Sequence, residues 1–350
     1  MDITWYSEKN VEAQTVILIC GWPDTSDIFC ENIIPLLIRG TNNNNHRDSP
    51  SLHALSLSID EASGPYRVVG LTLPSYSQNS ARKAFGWSLS ALVDLFDEAI
   101  QRIMDTYPAT SRFRHLAPIL ICHDWGCTIA LECLTKRPFL FERIVCLDVS
   151  GHPAGDCKHA QSWTNVSSWL LGASSAVSFK AMVHILWYQS WIMMCYLLHF
   201  VIPFLADWLI VLLCRLAGRP EYRRFVGGDT PILGGRSHNN AAVVVKARGD
   251  MGWPYFSLWW GLLIRLPLTT HRYFVPVHVP ILYLYGERKP FQFHTDQWIH
   301  HIDEKRVRDG MSLALGIRGG GHWFYAAGGL PQKLALGQIE QFLATQRKVI

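Results

Sequence analysis

Residues 121–130 read ICHDWGCTIA. They follow the apolar run APILIC and lead into the helix-like GCTIALECLTKR. Asp124 stands at the corner, between the small residues Cys122 and Gly126. A strand, a tight turn and a helix with small flanking residues make a nucleophile elbow, in which a strained central residue lifts its side chain clear of the backbone. The other reading is an ordinary strand-to-helix loop whose aspartate caps the helix. Two further stretches bear on the choice. CGWPD, residues 20–24, ends an earlier strand, and its Gly-x-Pro turn can aim the Trp22 N–H at the same point as the Trp125 N–H. Two such donors form an oxyanion hole. GGGHWF, residues 319–324, follows the last predicted strand, and its glycines let a loop bring His322 over the elbow. The chain order is nucleophile, candidate acid, histidine.

The elements that must position these residues alternate along the chain. Apolar runs at 15–20, 66–73, 118–122, 143–150, 279–286 and 311–317 read as strands. Stretches at 25–40, 88–107, 126–136, 293–302 and 331–345 read as helices, the first capped by Thr25 or Ser26. Alternation of this kind predicts a mostly parallel central sheet with helices on both faces. It lapses over 151–275, which is aromatic and helical and is expected to be an inserted cap. Residues 1–150 and 276–350 form the expected core. The polar, low-complexity 41–64 reads as a surface insertion.

Bulk composition narrows the function classes. The chain has 350 residues, 49% of them hydrophobic, enough for one large core or a core with an accessory domain. Thirty-two Lys and Arg balance 28 Asp and Glu, and no basic run is interleaved with aromatics, so nucleic acid is not an expected partner. The nine cysteines lack zinc spacing and read as reduced and buried, with no metal expected. MDITWYSEKN lacks the pattern of a signal peptide. Together these predict a cytoplasmic protein, or one peripheral on an intracellular membrane, with the Asn165 sequon unused. Residues 181–206 contain no Asp, Glu, Lys or Arg. They read as a pair of buried helices broken near Pro203, the alternative being a membrane-facing surface.

With the elbow, the Gly-x-Pro turn and the GGGH loop in order, the sequence resembles the α/β-hydrolase superfamily. Its HDWG, residues 123–126, is most similar to the epoxide hydrolase and haloalkane dehalogenase branch. The resemblance implies the α/β-hydrolase fold with an inserted helical cap. It also implies an alkyl-enzyme ester: Asp124 displaces a leaving group at an sp³ carbon, and His322 activates the water that hydrolyses the ester. No metal or organic cofactor is needed. Tyr188, in LWYQSW, resembles the first of two cap tyrosines that protonate an opening epoxide. Tyr255, in GWPYFSLWW, stands where the second is expected, with Tyr196 and Tyr222 as competitors. A halide needs only N–H donors such as the Trp125 indole. Trp22, neither amide nor carboxylate, leans away from the dehalogenases.

Two positions depart from the family pattern. Cys20 replaces the histidine that usually precedes the glycine of Gly-x-Pro. In YGERKP, Lys289 occupies the usual site of the triad acid, and a lysine cannot stabilise an imidazolium. Some relatives carry the acid one strand earlier, which makes Asp148 of CLDVSG the first choice, ahead of Glu287 and Asp296. The aromatic cap, with its uncharged run 181–206, implies a hydrophobic small-molecule substrate, with water as co-substrate and peripheral membrane contact through the cap as an option. The expectation is an epoxide hydrolase. The alternatives are a haloalkane dehalogenase and a catalytically silent binding protein of the same fold.

Overall fold

Val16–Ile19 and Ile119–Cys122 are apolar at every position rather than at every second one. That pattern suits strands covered on both faces. In the computed structural model they are the centre of a seven-stranded sheet. The structure describes residues 1–7, 13–39, 66–77, 83, 85–150, 179–226, 241–264, 275–276, 278–289, 292–294 and 296–345. The predicted insertion at 41–64 and the Asn165 sequon lie outside the described residues.

The strands are β1 (Asp2–Trp5), β2 (Gln14–Ile19), β3 (Tyr66–Thr72), β4 (Ile119–His123), β5 (Ile144–Leu147), β6 (Arg223–Val226), β7 (Ala241–Val244), β8 (Ile281–Gly286) and β9 (Leu313–Ile317). The main sheet runs β1-β3-β2-β4-β5-β8-β9, and only β1 is antiparallel to its neighbour. The helices are α1 (Ile33–Arg39), α2 (Leu89–Met104), α3 (Trp125–Lys136), α4 (Phe179–His199), α5 (Pro203–Leu216), α6 (Trp253–Ile264), α7 (Asp296–Asp309) and α8 (Gly329–Ala344).

Alternate side chains of the strands feed two cores. Ile17, Ile19, Leu120 and Cys146 pack with α2, α3 and α7 on one face. Val16, Leu18, Ile121 and Val145 pack with α1 and α8 on the other. Burial of such side chains contributes roughly 1.5–3 kcal/mol each against the entropy of ordering the chain.

The sheet order decides where a site can form. The connection after β2 leads to β3 on one side, while β4 lies on the other. A crevice therefore opens at the carboxyl ends of β2 and β4, as at any such switch point. Register fixes the rest. In the β4–β5 pair, His123 lies opposite Leu147. The next residues, Asp124 and Asp148, leave the sheet side by side.

The structure departs from expectation in three places. The helix predicted over 25–40 is a 3₁₀ turn, Ser26–Phe29, followed by α1. Pro35 has no N–H for the carbonyl four residues back, so one unbroken helix is excluded. Asn32 bridges the break, donating to the Ile28 carbonyl at 2.8 Å and accepting from the Ile33 N–H at 2.7 Å. The stretch predicted to be helical also contains an antiparallel pair, β6 and β7. Edge strand β1 is four half-buried residues, too short to show an alternating pattern. The break at Pro203 falls as expected, since α5 begins there with proline in its first turn.

Candidate active site

Asp124 occupies the turn between β4 and α3 with φ 53° and ψ −127°. A non-glycine residue there is strained, and such strain concentrates at functional sites. Its side chain makes no capping hydrogen bond to α3, which disfavours the helix-cap reading. The corner is tight on both sides. A Cβ on Gly126 would lie 2.7 Å from the Ile19 carbonyl oxygen. One on Gly21 would collide with the Trp125 amide and with Asp124 Oδ2. Gly21 thus lets the loop after β2 press against the elbow. The backbone N–H groups of Trp22 and Trp125 both favour ionisation of Asp124. Asp124 Oδ2 still lacks a hydrogen bond of regular geometry, so the two donors face the carboxylate without being saturated by it.

His322 reaches the elbow from the loop after β9. Its Nε2 lies 3.8 Å from Asp124 Oδ1. Its Nδ1 N–H donates to Asp148 Oδ2. Asp148 is fully buried, sits at φ 71°, and also accepts from the Gly286 N–H at 3.1 Å. The structure therefore brings Asp124, His322 and Asp148 together in line. Glu287 and Asp296, the alternative acids, are exposed, and no hydrogen bond or ion pair joins either to His322. Burial alone would raise the Asp148 pKa. The neighbouring Lys289 and His322 reverse that and hold it well below the usual carboxylate range.

Lys289 is the charged partner of this buried carboxylate. Its ammonium is buried beside Asp148 and donates to Oδ1. At the position where the sequence resemblance placed an acid, this chain carries a counter-ion for Asp148.

Above the elbow, Tyr255 stands edge-on to Trp22, Trp125 and Tyr188, with ring centroids 5.6, 5.7 and 6.0 Å apart. Gln189 Nε2 donates to the Tyr188 hydroxyl at 3.3 Å. Burial raises the pKa of both tyrosines, and the Asp124 charge raises each further, so both remain proton donors at neutral pH. The competing tyrosines are committed elsewhere. The Tyr222 hydroxyl accepts from the Thr25 N–H at 3.0 Å, and the Tyr196 ring packs on Phe200 and Phe256.

No family model matches the sequence, and no curated protein matches it. Solved structures do. A mutant epoxide hydrolase from Bacillus megaterium, in complex with its diol product, superposes with a TM-score of 0.54 at 13% identity, covering 98% of this chain and 96% of that one. A carboxylesterase structure from Nitrososphaera gargenis gives 0.52 at 11% identity, with 98% and 94% covered. A haloalkane dehalogenase loop variant from Bradyrhizobium elkanii gives 0.50 at 14% identity, with 98% and 93% covered. The chain has the α/β-hydrolase fold. Identities this low show the fold alone.

Within that fold, two features escaped the sequence. Asp24, the last residue of CGWPD, is fully buried. It accepts from Arg219 Nε at 2.8 Å and from Trp323 Nε1 at 2.7 Å. The loop after β2, the residue after His322 and the segment beyond α5 thus share one carboxylate. Cys20 bonds back to the Asp24 carbonyl at 3.2 Å, so the thiol at the departed histidine position still ties the loop. His123 supports the other loop, its Nε2 bonded to the His322 carbonyl at 3.3 Å. The second feature is a trio of buried thiols, Cys122, Cys127 and Cys146, with sulfurs within 4.8 Å of one another. Among the described residues they are the one group of potential metal ligands. They lie below the elbow in the apolar core, where free cysteines pack as small apolar side chains.

The burial of Asp124 predicts a pH signature. Burial pushes the Asp124 carboxyl from 3.8 up to about 6, against the opposing pull of His322 and the two backbone N–H groups. A nucleophilic role for Asp124 requires the carboxylate, so any reaction at its oxygens should slow as pH falls through about 6. Stability moves the other way. A carboxyl whose pKa is raised by folding favours the native state below its unfolded value and loses that advantage as pH rises through its folded value. The cost at neutral pH is roughly 3 kcal/mol. Asp124→Asn, with its mass confirmed, should therefore melt higher than the wild type near pH 8 and not near pH 4. Equal melting temperatures at both pH values would show that burial does not strain the charge.

Proposed function

We propose that this chain is a hydrolase of the epoxide hydrolase type, acting on a hydrophobic substrate through an ester at Asp124. The observation that carries the reading is an aspartate at the elbow facing His322 Nε2, whose other ring nitrogen is held by a buried carboxylate. An oxygen of Asp124 attacks an epoxide carbon, the carbon–oxygen bond breaks, and the alkoxide takes a proton from Tyr188 or Tyr255. Water then attacks the ester carbonyl as His322 Nε2 takes its proton. The Trp22 and Trp125 N–H groups stabilise the oxyanion. Collapse releases the diol and regenerates Asp124, and the proton on His322 returns to the tyrosine.

Two buried, protonated tyrosines favour an epoxide over a halide, because a halide leaves without a proton. Lys289 no longer supports the silent-binder reading. Its charge is balanced by Asp148, and Asp148 reaches His322.

Tyr188→Phe and Tyr255→Phe should each slow single-turnover alkylation by an epoxide about 10- to 100-fold, the loss expected for one donor to developing negative charge. Quenched-flow mass measurement of the intact protein reads this directly. Unchanged alkylation in both variants, with halide released from a haloalkane, would transfer the assignment to dehalogenation.

A further inference from the structure

We propose that the hairpin of α4 and α5 docks on an anionic phospholipid surface. Eleven of the nineteen exposed large apolar side chains among the described residues lie between 183 and 216, so the exposure is concentrated in this one element. A helix packed on a core in water normally turns a polar face outward. Here both faces are apolar. Ile192, Cys195, Ala206 and Ile210 face inward and are buried. Trp187, Leu197, Phe200, Val201, Phe204 and Trp208 face outward, with Val201 and Phe204 76% and 78% exposed. A contiguous patch of this kind marks an interaction site rather than ordinary surface.

Charge selects the partner. From Ala181 to Cys214 the single formal charge is Asp207. It is turned to the protein, accepting from the Gly249 N–H at 2.7 Å and pairing with His199 at 3.1 Å. The outward face thus carries no ionised group. Cations stand at its open end, where α5 finishes. They are exposed Arg215 in the last turn of α5 and exposed Lys246, next to the Val245 carbonyl that Arg219 bonds. Among the described residues there, Glu221, 3.8 Å from Arg215, is the one acid, which leaves these residues with a net positive charge. An uncharged apolar face with tryptophans and a basic rim fits the headgroup boundary of an anionic bilayer. Among the described residues no helix is long and apolar enough to cross a membrane, so the hairpin lies on the surface.

The test is flotation of the purified full chain with phosphatidylcholine vesicles, with and without phosphatidylserine. The wild type should float with the mixed vesicles and at least about fivefold less with phosphatidylcholine alone. Phe204→Glu and Trp208→Glu, both at exposed positions, should lower binding at least about tenfold with an unchanged circular dichroism spectrum. Because the readout is binding, it holds whatever reaction the site performs. Failure of the wild type to float would overturn the proposal. So would light scattering that shows a dimer dissociated by Phe204→Glu, which would give the face to a second copy of the chain.

Discussion

Asp124→Ala should reduce turnover by at least about a thousandfold while the protein stays folded, because the proposed mechanism forms its covalent intermediate on this carboxylate. The companion variant His322→Gln separates the two half-reactions. It leaves the nucleophile and the tyrosines intact, so alkylation proceeds, but water is no longer activated. With an aryl or lipid epoxide, its intact mass should rise by the mass of the epoxide, and the added mass should map to the peptide containing Asp124. Addition at that peptide followed by slow loss identifies the ester. An Asp124→Ala protein that retained more than a small fraction of activity, or a His322→Gln protein that never gained mass with any epoxide or halide, would defeat the covalent mechanism.

The second large effect concerns Asp148 and Lys289, and it has two parts that a single variant confounds. Asp148→Asn removes the anion that orients His322 and stabilises its cationic form, so hydrolysis of the ester should slow about a thousandfold or more. It also strands the Lys289 ammonium, which is 6% exposed. Breaking a buried pair from one side costs about 3–5 kcal/mol. The double variant Asp148→Asn with Lys289→Met removes both charges and should recover most of the lost stability. Turnover should stay low in the double variant, with ester accumulating at Asp124. If turnover returned along with stability, Asp148 would serve only as a partner for Lys289, and the acid would have to be sought elsewhere.

Asp124, the Trp22 and Trp125 donors and His322 were legible in the sequence because each lies in a short motif whose glycines dictate a local turn. Asp148 was legible only by way of the family resemblance and the lysine at position 289. What that lysine does was not legible, since the pairing of residues 148 and 289 depends on β5 and β8 being neighbours. Asp24 escaped for the same reason on a larger scale: its partners are 195 and 299 residues away. The apolar run 181–206 was read as buried because hydropathy does not distinguish a face against the core from one against another medium. The pair of helices turns out to have one face of each kind.

The buried carboxylate of Asp24 has a mechanical consequence. Arg219, on the segment beyond α5, is fastened through it to the loop that carries Trp22 and to the indole next to His322. Swinging the helices away as a rigid lid would carry Arg219 into water and leave the buried Asp24 without its charge partner, at a cost on the order of 3–5 kcal/mol. Fewer than about one molecule in a hundred would be open at any moment. The helices are therefore bolted at this edge rather than hinged. Small molecules that reach Asp124 must pass by small displacements of side chains elsewhere around the rim, and the loops that carry Trp22 and His322 stay in register while they do.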